Sequence, residues 1–361
     1  MTPSQPRPYR VFISYSHDDR EKFEEVCAAL RRVGVQPWSD ADLAVGSSFS
    51  EQIQTNISHS HLFVPILTEQ SHARGWVHQE IGFAVAMKVP CLPICVGKVP
   101  GGMIALAHAL VVNEALSDLD QKLAAVPFDD LVEEAGKGWV PCVAALEPET
   151  RAEMIAQFAD DARKKGKPGC VRVEGGFSSF SLPSESTDHP SWAARYGDHP
   201  RTPHSLNLFR RERLALQKHA VTAGVRMIIN AGLNLDVEYG RGVTRTRLCL
   251  LTQFLESLEL PDDKVQVALV EEHSPNLMLA VGDWFVAESA AGRPVRGVLQ
   301  TVFTAHASAV SRRIAEFDDR LAALLKDQGI APEQSRGLAL GGLHARIREL
   351  PRHPAWSCDE G

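Results

Sequence analysis

The chain has 361 residues, of which 44% are hydrophobic and 23% charged, with a formal net charge of −7. That length exceeds one compact domain and suits two, and the acidic balance gives no electrostatic reason to expect nucleic-acid binding. Residues 1–8 form no charged-then-apolar leader, and no apolar run nears the roughly 18 residues of a membrane span. Seven scattered cysteines speak against a disulfide framework and for a reducing cytoplasm.

Tyr9-Arg-Val-Phe-Ile-Ser-Tyr15 is a β-prone run closed by Ser16-His17-Asp18-Asp19, a helix-starting cluster. The helix behind it carries Phe23, Val26, Cys27 and Leu30 on one side and stops near Gly34. Residues 35–38 predict a second strand, and the loop 39–46 leads into a helix with Phe49, Ile53 and Ile57 on one face. Residues 61–67 are almost continuously apolar, as in a strand covered on both sides. From Trp76 the pattern turns helical. Val77, Ile81 and Val85 recur every four residues as a stripe to be buried, and Trp76 and Glu80 stack one turn apart on a neighbouring face. Residues 89–96 read as another strand, with 104–110 and 116–125 as short closing helices. Strands alternating with helices predict a parallel sheet with right-handed crossovers. Such a sheet binds ligands at the carboxyl ends of its strands, here the loops 14–19, 38–46 and 68–76.

Three motifs in order carry a family resemblance: Phe12-Ile-Ser-Tyr-Ser-His-Asp-Asp19, Trp38-Ser-Asp40 with Leu43 and Gly46, and Ser71 followed by Trp76-x-x-x-Glu80. With them, residues 9–135 resemble a TIR (Toll/interleukin receptor/resistance) domain. The resemblance implies a flavodoxin-like α/β fold and, as in many bacterial and plant members, cleavage of NAD between nicotinamide and ribose. NAD would be the substrate, with no cofactor. The family's catalytic glutamate falls on Glu80, and the aromatic residue before it on Trp76. Ser16 and His17 match positions near the nicotinamide. Trp38, Asp40 and Asp42 match the loop that covers substrate and docks a neighbouring subunit. A fixed carboxylate suits this chemistry, because breaking the N-glycosidic bond develops positive charge on the ribose ring. Other TIR domains are adaptors that bind one another without catalysis, and this is the alternative. Read as residues alone, Ser16 and Asp18 suit a helix cap as well as a substrate contact, and Asp40 an ordinary turn.

His59, His61, His72 and His78 have no cysteine or carboxylate at ligand spacing, so no metal is expected. Cys91-x-x-x-Cys95 lies in an apolar run and reads as buried thiols. No G-x-G-x-x-G or P-loop follows any strand.

Beyond residue 135, residues 149–165 form an amphipathic pattern, and 175–203 are dense in Ser, Pro, Gly and His, a linker or a lid. Residues 136–204 are thus expected to be a helix and a flexible linker. Order returns at 205 with the sequence helix, strand, helix, four strands, helix, predicting a second α/β domain over 205–328 and a tail over 329–361. This order resembles a phospholipase D-like half-domain. The catalytic His-x-Lys of that family is missing, since His273 is followed by Ser274 and Pro275. The resemblance therefore implies a regulatory or assembly domain that senses a trigger ligand. Arg241, Arg245 and Arg247 either hold a phosphate or nucleotide or form a solvated helix start. The combined expectation is a cytoplasmic NAD-cleaving protein switched on by self-association of its TIR domains, in bacterial immune signalling or antiphage defence.

Overall fold

The computed structural model describes residues 9–39, 49–72, 75–97, 109–166, 168–175, 179–182, 203–230, 241–271, 276–290 and 300–351. The chain divides into two units, Met1–Pro141 with Ala305–Arg312, and Cys142–Thr304 with Arg313–Gly361. No helix among the described residues is long and apolar enough to cross a membrane.

The first unit is built on a five-stranded sheet in the order β2-β1-β3-β4-β5. Its strands are β1 (Arg10–Ser14), β2 (Gln36–Ser39), β3 (Leu62–Leu67), β4 (Ile94–Val96) and β5 (Leu110–Val112), and all pairings are parallel. Alternation along β1 divides the core in two. Val11 and Ile13 join Val26 and Leu30 of helix α1 (Arg20–Arg32) on one face. Phe12 joins Ile53 and Ile57 of α2 (Phe49–Ser58) on the other. A short α3 (Glu69–His72) precedes α4 (Gly75–Ala86), which adds Val77, Ile81 and Ala84 to the face of Phe12. Helices α5 (Leu119–Ala124) and α6 (Phe128–Ala135) cover the face of Val11 with Leu119, Leu123 and Phe128.

Two expectations change here. Val85 is 53% exposed, because a spacing of four drifts off a 3.6-residue period; Ala84, seven residues after Val77, takes its place in the core. Leu110 opens the fifth strand instead of closing a helix, its backbone N–H bonded to the carbonyl of Pro93.

Residues 305–312 complete this unit from far along the chain. His61, just before β3, accepts the Arg10 backbone N–H on Nδ1 at 3.0 Å, so its Nε2 carries the proton and donates to Ser311 Oγ at 2.8 Å. His306 bonds through Nε2 to the Lys88 carbonyl at 2.9 Å, and Lys88 is a left-handed residue at φ 60° just past α4. Gly136 leaves room for the Ser308 backbone, which a Cβ would approach to 3.0 Å.

The second unit carries a seven-stranded mixed sheet in the order β6-β12-β11-β10-β7-β8-β9. Strands β7 (Val171–Gly175), β8 (Val225–Asn230) and β9 (Val265–Val270) are parallel. Strands β10 (Asn276–Val281), β11 (Phe285–Ala290), β12 (Thr301–Thr304) and β6 (Val143–Ala145) continue the sheet antiparallel from β7. Val171, Val173, Val225, Met227 and Ala287 point into a core shared with α7 (Pro148–Lys165), α8 (Pro203–Ala223), α9 (Arg241–Glu256) and α11 (Pro332–Glu349). Gly224, at φ 87°, turns α8 into β8 where a Cβ would meet the Lys264 carbonyl at 2.1 Å. On the opposite face, Arg172, Glu174, Arg226 and Glu288 meet Asp318, Arg320 and Arg313 of α10 (Ala307–Asp327).

This unit begins and ends outside the range 205–328. Residues 143–175 supply two strands and a helix to its fold, because the alternating Val171-Arg-Val-Glu forms a central strand. Residues 332–349 are a helix, with Ala339, Leu343 and Ile347 in the core, and not a loose tail. Of the expected linker, Ser179–Ser181 forms a buried turn, while residues 183–202 lie outside the described residues. Cys27, Cys91, Cys95, Cys142 and Cys170 are free, but Cys249 is disulfide-bonded. Sequence spacing does not report which thiols a fold brings together.

Burial, with Arg10 and His306 nearby, pushes the His61 pKa down to about 3. The unfolded chain takes that proton below about pH 6.5 and the folded chain only near 3. The contribution is therefore complete above about pH 6.5 and is lost as pH falls towards 3. Urea midpoints of the full chain should drop between about pH 7 and pH 5, and the drop should be shallower in His61→Gln.

Candidate functional site

The sheet parity that places Phe12 under α4 also places Ser14, two residues on, beneath that helix. Val77 and Ile81 pack on this face and set the rotation of α4, so Glu80 turns towards the end of β1. Ser14 Oγ donates to Glu80 Oε2 at 2.5 Å, and both residues are buried, Glu80 with 9% of its surface exposed. Ser14 is the last residue of β1 and pairs with Pro65 of β3, one residue beyond the pair Ile13–Ser39. The carboxylate therefore sits at the carboxyl edge of the central strand.

Ser16 follows in the same loop. It precedes the 3-10 turn His17–Asp19 but makes no side-chain cap, and its buried Oγ has no hydrogen-bond partner among the described residues. Orphaned buried hydroxyls are uncommon, because desolvation is uncompensated. Ser16 is thus a polar group available to a ligand and does not serve as the helix cap that its position equally allowed.

The rim between the first and third strands is tied by buried side chains. Thr68 Oγ1 donates to Asp19 Oδ2 at 3.0 Å, and Lys22 Nζ donates to Asp19 Oδ1 at 3.0 Å. Ser71 Oγ accepts the Thr68 backbone N–H at 2.8 Å. Asp18, beside them, is exposed. Ser71 of the third motif thus holds the loop that leads into α4.

Trp76 lies in α4 one turn before Glu80, Trp38 lies in β2 opposite Phe12, and His17 lies in the 3-10 turn. The side chains of these three fall outside the described residues, as do Asp40 and Asp42 altogether. Ser14 was not singled out from sequence, although its parity with Phe12 was readable.

The remaining candidates resolve into structural roles. His59 Nδ1 donates to the Thr55 carbonyl at 2.9 Å, and His61 joins β1 to Ser311. No group of three or more His, Cys, Asp and Glu able to hold a metal occurs among the described residues. Burial raises the thiols of Cys91 and Cys95 to about 12 and about 11, which keeps both protonated. Arg241 opens α9. Arg245 donates to the carbonyls of Ile347 and Leu350, capping the end of α11. Arg247 is buried. Arg245 and Arg247 are thus buried and do not form a solvated helix start.

Residues 11–124 match the family model of the TIR domain, and this segment is a TIR domain. The match spans less than a third of the chain. No curated protein matches the chain. TIR domains act in signalling, commonly self-associate and include NAD-cleaving enzymes.

Ser14→Ala removes a donor from a buried carboxylate, a loss of about 1–3 kcal/mol. Denaturant unfolding should read that loss, with the m-value unchanged.

Proposed function

We propose that this protein is an NAD nucleosidase that releases nicotinamide and leaves ADP-ribose or its cyclic form, with Glu80 as the catalytic residue. The observation that supports it best is the buried Glu80 carboxylate, bonded to Ser14 at the carboxyl edge of a parallel sheet, where such folds take their ligands. In this reading the bond between ribose C1′ and the nicotinamide nitrogen breaks, and its electron pair neutralises the pyridinium. The leaving group is then neutral and needs no proton. Glu80 faces the oxocarbenium-like ribose, and Ser14, its donor, positions it. Water, or a nucleophile within the substrate, takes C1′ and gives up a proton. Ser16 supplies a hydroxyl to the nicotinamide side, and Trp76 and His17 are the further contacts that the family resemblance implies. Trp38, Asp40 and Asp42 form the covering loop.

We further infer that activity depends on assembly. A TIR neighbour docked on the 38–46 loop would complete the pocket, with the second unit, a degenerate phospholipase D-like half-domain, responding to a trigger ligand. That arrangement suits immune signalling or antiphage defence in a bacterial cytoplasm.

The test is incubation of the full chain with NAD, products being read by mass. Wild-type protein should release nicotinamide at a specific rate that rises with protein concentration. Glu80→Gln should lower the rate by about a hundredfold or more with its circular dichroism unchanged. Ser16→Ala should act mainly on KM, raising it about three- to tenfold. A wild-type protein that never turns over NAD, and whose TIR–TIR binding Glu80→Gln leaves intact, is instead an adaptor.

A further inference from the structure

The second unit holds a cavity of about 490 Å³ between β8, β9 and the C-terminal part of α10, within the size range of small-molecule sites. Its apolar wall is Leu321, Leu325, Ile330 and Pro332. Arg226 from β8 and Lys326 from α10 also line it, as do Gln266 and Asp318.

The charges at this place do not balance. Asp318 is already met on both oxygens by Arg172, Nε to Oδ1 at 2.9 Å and NH2 to Oδ2 at 2.8 Å. This is the two-pronged geometry that satisfies a carboxylate. Arg226 adds a second guanidinium to the same Oδ2 at 2.7 Å. Arg172, Arg226 and Lys326 stand against Asp318, with Asp283 also acting on Arg172, which leaves one positive charge in excess. Lys326 has no ion pair among the described residues. Arg226 is partly buried and Lys326 exposed, and an anion entering the cavity needs cations placed to meet it. The remaining donors of Arg226 and the ammonium of Lys326 are the groups that would do so.

We propose that this cavity binds a small organic anion, its carboxylate or phosphate held by Arg226 and Lys326 and its apolar body seated against Leu321, Leu325, Ile330 and Pro332. The inference stands apart from the NAD reading, since it concerns a site in the other unit and is read by binding alone.

Calorimetric titration of the full chain tests it with four probes. Phenyl phosphate and phenylacetate carry an acid on an apolar body. Inorganic phosphate has the charge without the body, and benzyl alcohol the ring without the charge. At least one organic anion should bind saturably, and about tenfold or more tighter than inorganic phosphate or benzyl alcohol. The tighter of the two identifies phosphate or carboxylate as the preferred acid. Arg226→Met leaves Asp318 paired with Arg172 and should weaken binding about tenfold or more. Ala322→Phe, which keeps every charge and narrows the cavity, should weaken it similarly. Absence of saturable binding by either organic anion up to about 10 mM would overturn the proposal. So would inorganic phosphate binding equally well, or binding that both variants leave unchanged.

Discussion

The hydrogen bond from Ser14 to Glu80 ties the end of the central strand to the middle of a helix, but apolar packing beneath it fixes where the two groups meet. Phe12, Val77, Ile81 and Ala84 share one core. Burying each of the larger side chains contributes about 1.5–3 kcal/mol, against about 1.5–3 for a hydrogen bond to a charged group. Packing therefore sets the rotation of the helix, and the serine hydroxyl selects the orientation of the carboxylate. Around it, Asp19, Thr68, Lys22 and Ser71 bind the adjoining loops to one another. The carboxylate is thus held by a strand end and a helix, the kind of support that the role proposed for it requires.

The second unit divides the work between its sheet faces differently. One face is an apolar core covered by four helices among the described residues. The other meets α10 through ion pairs as well as through Phe317, Leu321 and Leu325, which are buried. Partly exposed pairs such as Arg320–Glu174 contribute little, so adhesion falls to the apolar stripe. Arg172 and Asp318 are more enclosed, and there the direction of charge matters more. The Asp318 carboxyl is held below its usual range despite burial, by hydrogen bonds and attraction from Arg172 and Arg226.

Much of the first unit was readable because its signals are local. The run 61–67 and the helix from Gly75 follow directly from apolar periodicity, and three short motifs marked the family. Val85 misled because a spacing of four is only an approximation to the helical period. The strand Val171–Gly175 was readable as Val-Arg-Val-Glu, yet it lies inside the range 136–204 that reads as a helix and a flexible linker. Ser14 could have been chosen by counting alternate residues from Phe12. The roles of Arg245 and His61 could not be read at all. Their partners lie 102 and 250 residues away, and nothing in a local pattern reports contacts at that separation.

The arrival of Ser311 beside His61 bears on how this protein can be dissected. A fragment ending at residue 135 contains every strand of the first sheet, yet it lacks the hydroxyl that receives the His61 proton and the imidazole that meets the Lys88 carbonyl. Its histidine would face water where the intact chain supplies a neighbour. Excision at the apparent boundary thus yields an incomplete folding unit, and properties measured on such a piece belong to the piece.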